Sequence, residues 1–210
     1  MLRDRLRLGP LLALGVVLVI GSCGYPHDEA PGNRPGLTGG WRTAGCGLAR
    51  DPANVAVGDL TLPATPAELD AAIGRIDHGG RGDFAGSYAG LEVDQKQVRA
   101  IVYRVPSEAF DDFIRRTAEN TCIVVRDAPH SMTDLAVWHD RVLADLPFWT
   151  DRGIRIVTIG ARHDGSGVEI GTRDLDRAKL ELPARYGSRA PLVFVNQAPV
   201  RPLTTATPSG

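Results

Sequence analysis

Histidines, carboxylates and serines are the side chains of this sequence that could act as a base, a nucleophile or a metal ligand. His130 and His139 lie on either side of the predicted start of a helix, a spacing at which two histidines share a metal only by accident. Asp111 and Asp112 fall in the first turn of a predicted helix, where carboxylates complement the helix dipole. Tyrosine stands in Gly86–Gly90 (GSYAG) where a serine-hydrolase motif needs serine, and the sequence has no common zinc motif or phosphate-binding glycine loop. These patterns predict no catalytic set, no metal and no cofactor.

The first 23 residues contain a basic stretch, an apolar stretch and a cysteine, in that order. Arg3, Arg5 and Arg7 precede the apolar run Leu11–Ile20, which is shorter than the roughly 20 residues of a membrane span and is typical of a secretory signal. The sequence IGSC that ends at Cys23 resembles the bacterial lipobox. The resemblance implies cleavage before Cys23, diacylation of its thiol and a lipid anchor on the extracytoplasmic face of the cell membrane. The alternative is an ordinary secretory signal that is cut elsewhere.

Cys46 and Cys122 remain once Cys23 is assigned to lipid attachment. In an oxidising compartment an even number of cysteines usually pairs, so we expect a disulfide between these two residues. Closing a loop of about 76 residues would stabilise the fold by about 4 kcal/mol in the chain-entropy model. The alternative is a pair of buried free thiols.

The charge of the chain is nearly balanced, with 24 basic and 25 acidic residues and a formal net charge of -1. Loss of residues 1–22 would remove three arginines and one aspartate and make the mature chain mildly acidic. This balance argues against a nucleic-acid partner, a polybasic membrane patch and an acidic disordered tail. Lys96 and Lys179 are the only lysines, and this bias, with many Ala, Gly and Pro residues, is typical of a GC-rich, actinobacterial genome.

Composition and periodicity divide the chain into five segments. A flexible tether follows the signal peptide, because its first half is rich in Gly and Pro and shows no hydrophobic period. Trp41 and Cys46 suggest that the second half of the tether docks onto the folded part. Two folded units and a short disordered tail complete the chain. The segments are a signal peptide at 1–22, a tether at 23–60, unit 1 at 61–130, unit 2 at 131–200 and a tail at 201–210.

The two units are predicted from an internal repeat at an offset of 70 residues. This offset aligns Asp94 with Asp164 and Val125 with Val195, and turns, strand ends and apolar faces then fall in register. Each unit reads α-β-β-α-β. We therefore predict an α+β fold of two tandem units, each with a small sheet covered by helices.

Cap and turn residues place the elements within the units. Thr65–Glu68 (TPAE) predicts a capping box at the start of the first helix, and Ser107 and Ser131 predict the starts of two others. Asp164–Gly165 predicts a hairpin turn between two strands of unit 2. Pro183 is expected to end the last helix.

Phe84–Asp94 (FAGSYAGLEVD), followed by a valine-rich return strand, resembles the pro-regions of bacterial secreted serine proteases of the alpha-lytic and streptogrisin type. The likeness covers residues 84–129 and 154–199, but no protease domain follows. It implies a free-standing, non-enzymatic protein-binding module whose partner is an envelope or secreted protein.

Two alternatives remain for the function. Paired αββαβ units are similar to BON domains, which are associated with phospholipid binding, and Gly167–Gly171 (GVEIG) is near that family's glycine-flanked signature. The other alternative is a hydrolase with a non-standard site, which would need a cleft holding a histidine and a carboxylate in hydrogen-bond reach.

Overall fold

A computed structural model describes residues 39–48, 50–118 and 120–199 of the chain. The predicted signal peptide, Cys23 and the predicted tail lie outside the described residues. The described part is an α+β structure with five α-helices and three small sheets, so the predicted fold class is confirmed.

The described residues form nine strands and five α-helices, together with one short 3-10 helix at Ala44–Gly47. The strands are β1 (Trp41–Arg42), β2 (Ala53–Val57), β3 (Leu60–Ala64), β4 (Tyr88–Asp94), β5 (Arg99–Arg104), β6 (Ile123–Asp127), β7 (Ile156–Ala161), β8 (Val168–Thr172) and β9 (Leu192–Asn196). The helices are α1 (Ala67–Arg81), α2 (Glu108–Thr117), α3 (Met132–Ala144), α4 (Leu146–Asp151) and α5 (Leu175–Tyr186).

The first unit packs α1 and α2 on a four-stranded sheet of order β1-β6-β5-β4. β4 and β5 are antiparallel, β5 and β6 are parallel, and β1 adds an antiparallel edge next to β6. Its core is aliphatic and aromatic, and the buried side chains include Leu69, Ile76, Phe110, Ile114 and Val125. The apolar face of each helix is therefore buried against one face of the sheet.

The second unit repeats this topology with a three-stranded sheet of order β7-β8-β9. β7 and β8 are antiparallel and β8 and β9 are parallel, as in the first unit. Leu135, Trp149, Ile170 and Leu182 are buried in its core. The two units thus share one strand order and one pattern of strand directions.

The offset between the units is not constant, and the value of 70 is wrong for the last strand. Val125 pairs with Val102 in unit 1, and Phe194 pairs with Ile170 at the same place in unit 2. Phe194 packs against the core, whereas Val195 is half-buried and pairs with Gly171 on the opposite face of the sheet. Because side chains alternate along a strand, an error of one residue moves a side chain to the other face.

The two hairpins carry a bulge at matching places, between Tyr88 and Gly90 in β4 and between Ile156 and Thr158 in β7. Matching the bulges makes Gly90 equivalent to Thr158 rather than to Gly160. The offset is thus two residues shorter here than the sequence repeat suggested. Because this difference is an even number of residues, each side chain stays on the face of the sheet that the repeat predicts.

The units touch where the β7–β8 turn packs on β4. A β-carbon at Gly90 would lie 2.4 Å from the carbonyl oxygen of His163, and one at Gly165 would lie 2.6 Å from the carbonyl oxygen of His130. Both glycines have positive φ, which other residues rarely adopt. His163 Nε2 also lies 3.2 Å from a carboxylate oxygen of Glu92. Glycine therefore permits the close approach of the two backbones.

The helix ends agree with some of the predicted caps. The side chains of Ser107 and Ser131 accept backbone hydrogen bonds as N-caps, and Ser131 belongs to a complete capping box. Thr65 does not cap α1, whose N-cap is Pro66, because its hydroxyl accepts a bond from a glutamine side chain instead. Pro183 lies inside α5, which continues for three more residues to Tyr186.

The second half of the predicted tether at 23–60 docks onto the first sheet through Trp41 and Cys46, as expected. It is not a flexible segment, because β1, the 3-10 helix and β2 all form there. Residues 23–38 lie outside the described residues.

Candidate functional site

The two cysteines that were expected to pair lie next to each other beside the first sheet. Cys46 and Cys122 form a disulfide, with their Cα atoms 4.2 Å apart, and it joins the 3-10 helix to the start of β6. One turn earlier, the Thr43 hydroxyl donates to the Thr121 carbonyl oxygen at 2.5 Å and accepts from Ile123 N at 2.9 Å. The expected disulfide is present, and it fixes the N-terminal segment to the sheet.

His130 and His139, for which the sequence predicts no shared metal, lie before and within α3. His139 lies on α3, where its Nδ1 is 2.9 Å from Asp140 Oδ1. Among the described residues no group of three metal-binding side chains forms. No helix in residues 39–48, 50–118 or 120–199 is long and apolar enough to cross a membrane.

The carboxylates of Asp111 and Asp127 bind a buried arginine. Arg104 on β5 is 1% exposed and donates from Nε and Nη2 to Asp111 at 2.7 and 3.1 Å. Its Nη1 donates to Asp127 at the end of β6. Burial alone would lower the pKa of Arg104, but the two carboxylates outweigh it and raise that pKa. Both acids are thus used to hold β5, α2 and β6 together.

An isolated hairpin presents the largest group of exposed aliphatic side chains among the described residues. β2 and β3 pair only with each other among the described strands. A two-residue turn at Gly58–Asp59 joins them, and Gly58 has φ +62° while Asp59 has negative φ. This combination fits a type II′ turn, whose twist matches that of the strands.

One face of this hairpin is entirely apolar. Val55 pairs with Leu62 and Val57 pairs with Leu60, so that these four side chains lie on the same face. They are exposed by 48%, 44%, 56% and 64% respectively. Clustered aliphatic groups left in water at this level mark an interaction surface. We call these four residues the hairpin face.

No described strand pairs with the outer edge of β2. In a two-residue hairpin the closing pair is hydrogen-bonded and the pattern alternates, so the backbone groups of Asn54 and Ala56 point away from β3. On the other strand the equivalent outward positions are Thr61 and Pro63. Proline has no N–H, so the edge of β3 is blunted and that of β2 is intact.

The charged side chains of the hairpin segment are either acidic or already in an ion pair. Asp59 lies at the turn and Asp51 lies just before β2. Arg50 is the one basic residue of the segment 50–64, and it forms an ion pair with Glu68 at 3.3 Å. The surroundings of the hairpin face therefore do not attract an anionic membrane.

The chain matches no protein-family model, and comparisons with curated proteins and with solved structures give no match.

The hairpin is a candidate functional element that is not predicted from the sequence. Its signal is present as alternating apolar residues in 53–57 and 60–64 around Gly58–Asp59. Pro63 and the small residues beside the valines obscure the alternation. The predicted boundary between tether and unit 1 at residue 60 divides the hairpin, because the stretch before it is rich in glycine and proline.

Proposed function

We propose that the protein is a membrane-anchored, extracytoplasmic, non-enzymatic module that binds a partner protein through the β2–β3 hairpin. The carrying observation is an exposed aliphatic face that adjoins an open strand edge. The resemblance of the sequence that ends at Cys23 to a lipobox supports the anchor, and export is consistent with the disulfide.

The proposed partner is an extended segment of an envelope or secreted protein with aliphatic side chains at alternate positions. Such a segment would pair with the outward backbone groups of Asn54 and Ala56 and place its side chains beside Val55 and Val57. Main-chain hydrogen bonds would supply affinity, and the hairpin face would select for aliphatic side chains.

A protein suits the hairpin better than the acyl region of a membrane does. Inside hydrocarbon, each unpaired backbone group at the outer edges of β2 and β3 would lack a partner, which costs several kcal/mol per group. Asp51 and Asp59 would also meet anionic headgroups. Lipid binding through the hairpin is therefore the less favourable alternative.

A second copy of the chain would need more surface than the hairpin face offers. Standard protein interfaces bury about 800 Å² on each partner. Four half-exposed aliphatic side chains provide much less than this, so packing of two faces alone would not hold a stable dimer. The partner must also use the strand edge.

The test places a photo-crosslinking amino acid at Val57 of the full chain in intact cells. Position Val137 on α3, which is 66% exposed, serves as the comparison site. We expect a defined protein adduct from position 57 and none from position 137.

A matched pair of proline variants then shows whether the partner binds the outer edge of β2 or that of β3. Ala56 and Thr61 face each other in the hairpin, and both N–H groups point outward. Ala56→Pro removes the donor from the β2 edge and should abolish the adduct, whereas Thr61→Pro should leave it. An adduct that survives Ala56→Pro, or that forms equally from position 137, would refute strand addition. An adduct between two copies would replace the proposed partner with self-association.

A further inference from the structure

A second surface differs in its chemistry from the hairpin face, because it combines arginines with a tryptophan. A cavity of about 440 Å³ lies where β1, the 3-10 helix and the end of α2 meet. This volume is in the range of small-ligand sites. Its lining consists of Trp41, Arg42, Thr43, Ala44, Arg115 and Arg116.

Three guanidinium groups border this cavity, and two of them have no acidic partner. Arg115 forms an ion pair with Asp112 at 2.8 Å. Among the described residues no carboxylate pairs with Arg42 or Arg116. The helix dipole accounts for cations at the end of α2, but Arg42 lies on a strand and is not explained in that way.

Trp41 contributes an aromatic surface and an unused donor. The Arg115 guanidinium lies 4.4 Å from the centroid of the Trp41 ring, a cation–π contact that holds this arginine in place. The indole N–H of Trp41 is buried and has no acceptor among the described residues. A buried donor without a partner is unfavourable by about 1–3 kcal/mol.

The wall of the cavity is held rigidly. Trp41 and Arg42 pair with Val125 and Val124 of β6, and the Thr43 hydroxyl bonds to the backbone at the start of that strand. The disulfide follows three residues later at Cys46. The backbone that carries Arg42 is therefore fixed, and a ligand would have to order only its exposed side chain.

We propose that this cavity binds an oxyanion, a phosphate or a carboxylate group of a small anionic ligand. Two unpaired guanidiniums offer paired N–H donors that match the oxygens of such a group. The arginines concentrate positive charge on this surface, although the predicted mature chain is mildly acidic. The positive patch is therefore a local feature of the surface. This proposal is independent of the hairpin and of its partner.

The test follows the three tryptophan indole N–H signals of the full, ¹⁵N-labelled chain by NMR during titration at constant ionic strength. The probes are inorganic phosphate, acetate and a short-chain phosphatidylglycerol below its micelle concentration. We expect a saturable shift of the Trp41 signal and no shift of the Trp138 and Trp149 signals. The phosphate and lipid arms distinguish a free anion from a lipid headgroup by which one binds more tightly.

Charge-matched variants separate a site from general screening. Arg42→Gln with Arg116→Gln should weaken binding by at least about tenfold, because each removes a charged hydrogen-bond donor. Arg173→Gln with Arg189→Gln changes the net charge equally at exposed positions away from the lining and should leave the affinity unchanged. The absence of a saturable Trp41 shift with all three probes, or equal weakening by both pairs, would overturn the proposal.

Discussion

Arg104 is the one arginine among the largest fully buried side chains of the described residues, and it is compensated by two carboxylates. Moving a guanidinium out of water is expensive unless it is paired in good geometry and hydrogen-bonded. The bidentate contact with Asp111 and the further contact with Asp127 supply that pairing. One side chain thereby ties together two strands and a helix.

We expect Arg104→Ala to lower the free energy of unfolding by about 3–5 kcal/mol, because it leaves the Asp111 carboxylate buried without a partner. Denaturant unfolding would measure the change. Arg177→Ala is the control, since Arg177 pairs with Glu181 at the surface and should have little effect. If Arg104→Met combined with Asp111→Leu is as unstable as the single variant, an unpaired buried charge is not the cause.

Lowering the pH should reduce the stability of the fold through protonation of Asp164 in the β7–β8 turn. Burial alone would raise the pKa of this carboxyl, but hydrogen bonds from Arg162 and Ser166 outweigh it and hold the pKa well below its ordinary value of 3.8. A carboxyl that is more acidic in the folded state stabilises the fold above its unfolded pKa, and this contribution is lost as the pH falls below that value.

We therefore expect the free energy of unfolding to decrease as the pH is lowered from about 5 towards 2, with a smaller decrease in Asp164→Asn. Urea unfolding at a series of pH values would measure both slopes. Asp151→Asn, at an exposed helix end, is the comparison variant. Parallel slopes for the wild-type chain and Asp164→Asn would show that other carboxyls cause the acid sensitivity.

At the scale of elements, alanine substitutions at core-facing positions that share the same strand register in the two units should lower stability in the same way. Val125→Ala should destabilise by about 1–3 kcal/mol because Val125 is fully buried. Phe194→Ala should also destabilise clearly, whereas Val195→Ala should change stability by about 1 kcal/mol or less. Thermal unfolding of the three variants would rank them. A larger effect at Val195 than at Phe194 would contradict the register of β8 and β9.

Local patterns predicted the elements that depend on local interactions. The hairpin turn at Asp164–Gly165 and the helix starts at Ser107 and Ser131 are found as predicted, because turns and caps involve neighbours in sequence. The strand β1 was not predicted, since it forms only by pairing with β6 at a distance of some 80 residues. The cavity escaped prediction for the same reason, because β1 and α2 create it together.

At the scale of the whole molecule, the prediction that decides localisation lies outside the described residues. Cys23→Ala should abolish metabolic labelling with a radioactive fatty acid and release the chain from the membrane or leave it uncleaved, because no thiol would remain to be acylated. Cys46→Ala with Cys122→Ala is the control, and its labelling should persist. Unchanged labelling of Cys23→Ala would refute the lipid anchor.

The disulfide has a mechanical consequence for a chain held at the proposed lipid anchor. Tension that enters the described chain at Gly39 and leaves through unit 2 reaches Cys46 first and passes through a covalent bond directly to Cys122. The 75 residues between them, with the β2–β3 hairpin, are bypassed by the force. With the disulfide formed, a pull between the proposed anchor and unit 2 would therefore leave the hairpin unstretched, and reduction would expose the hairpin to the force.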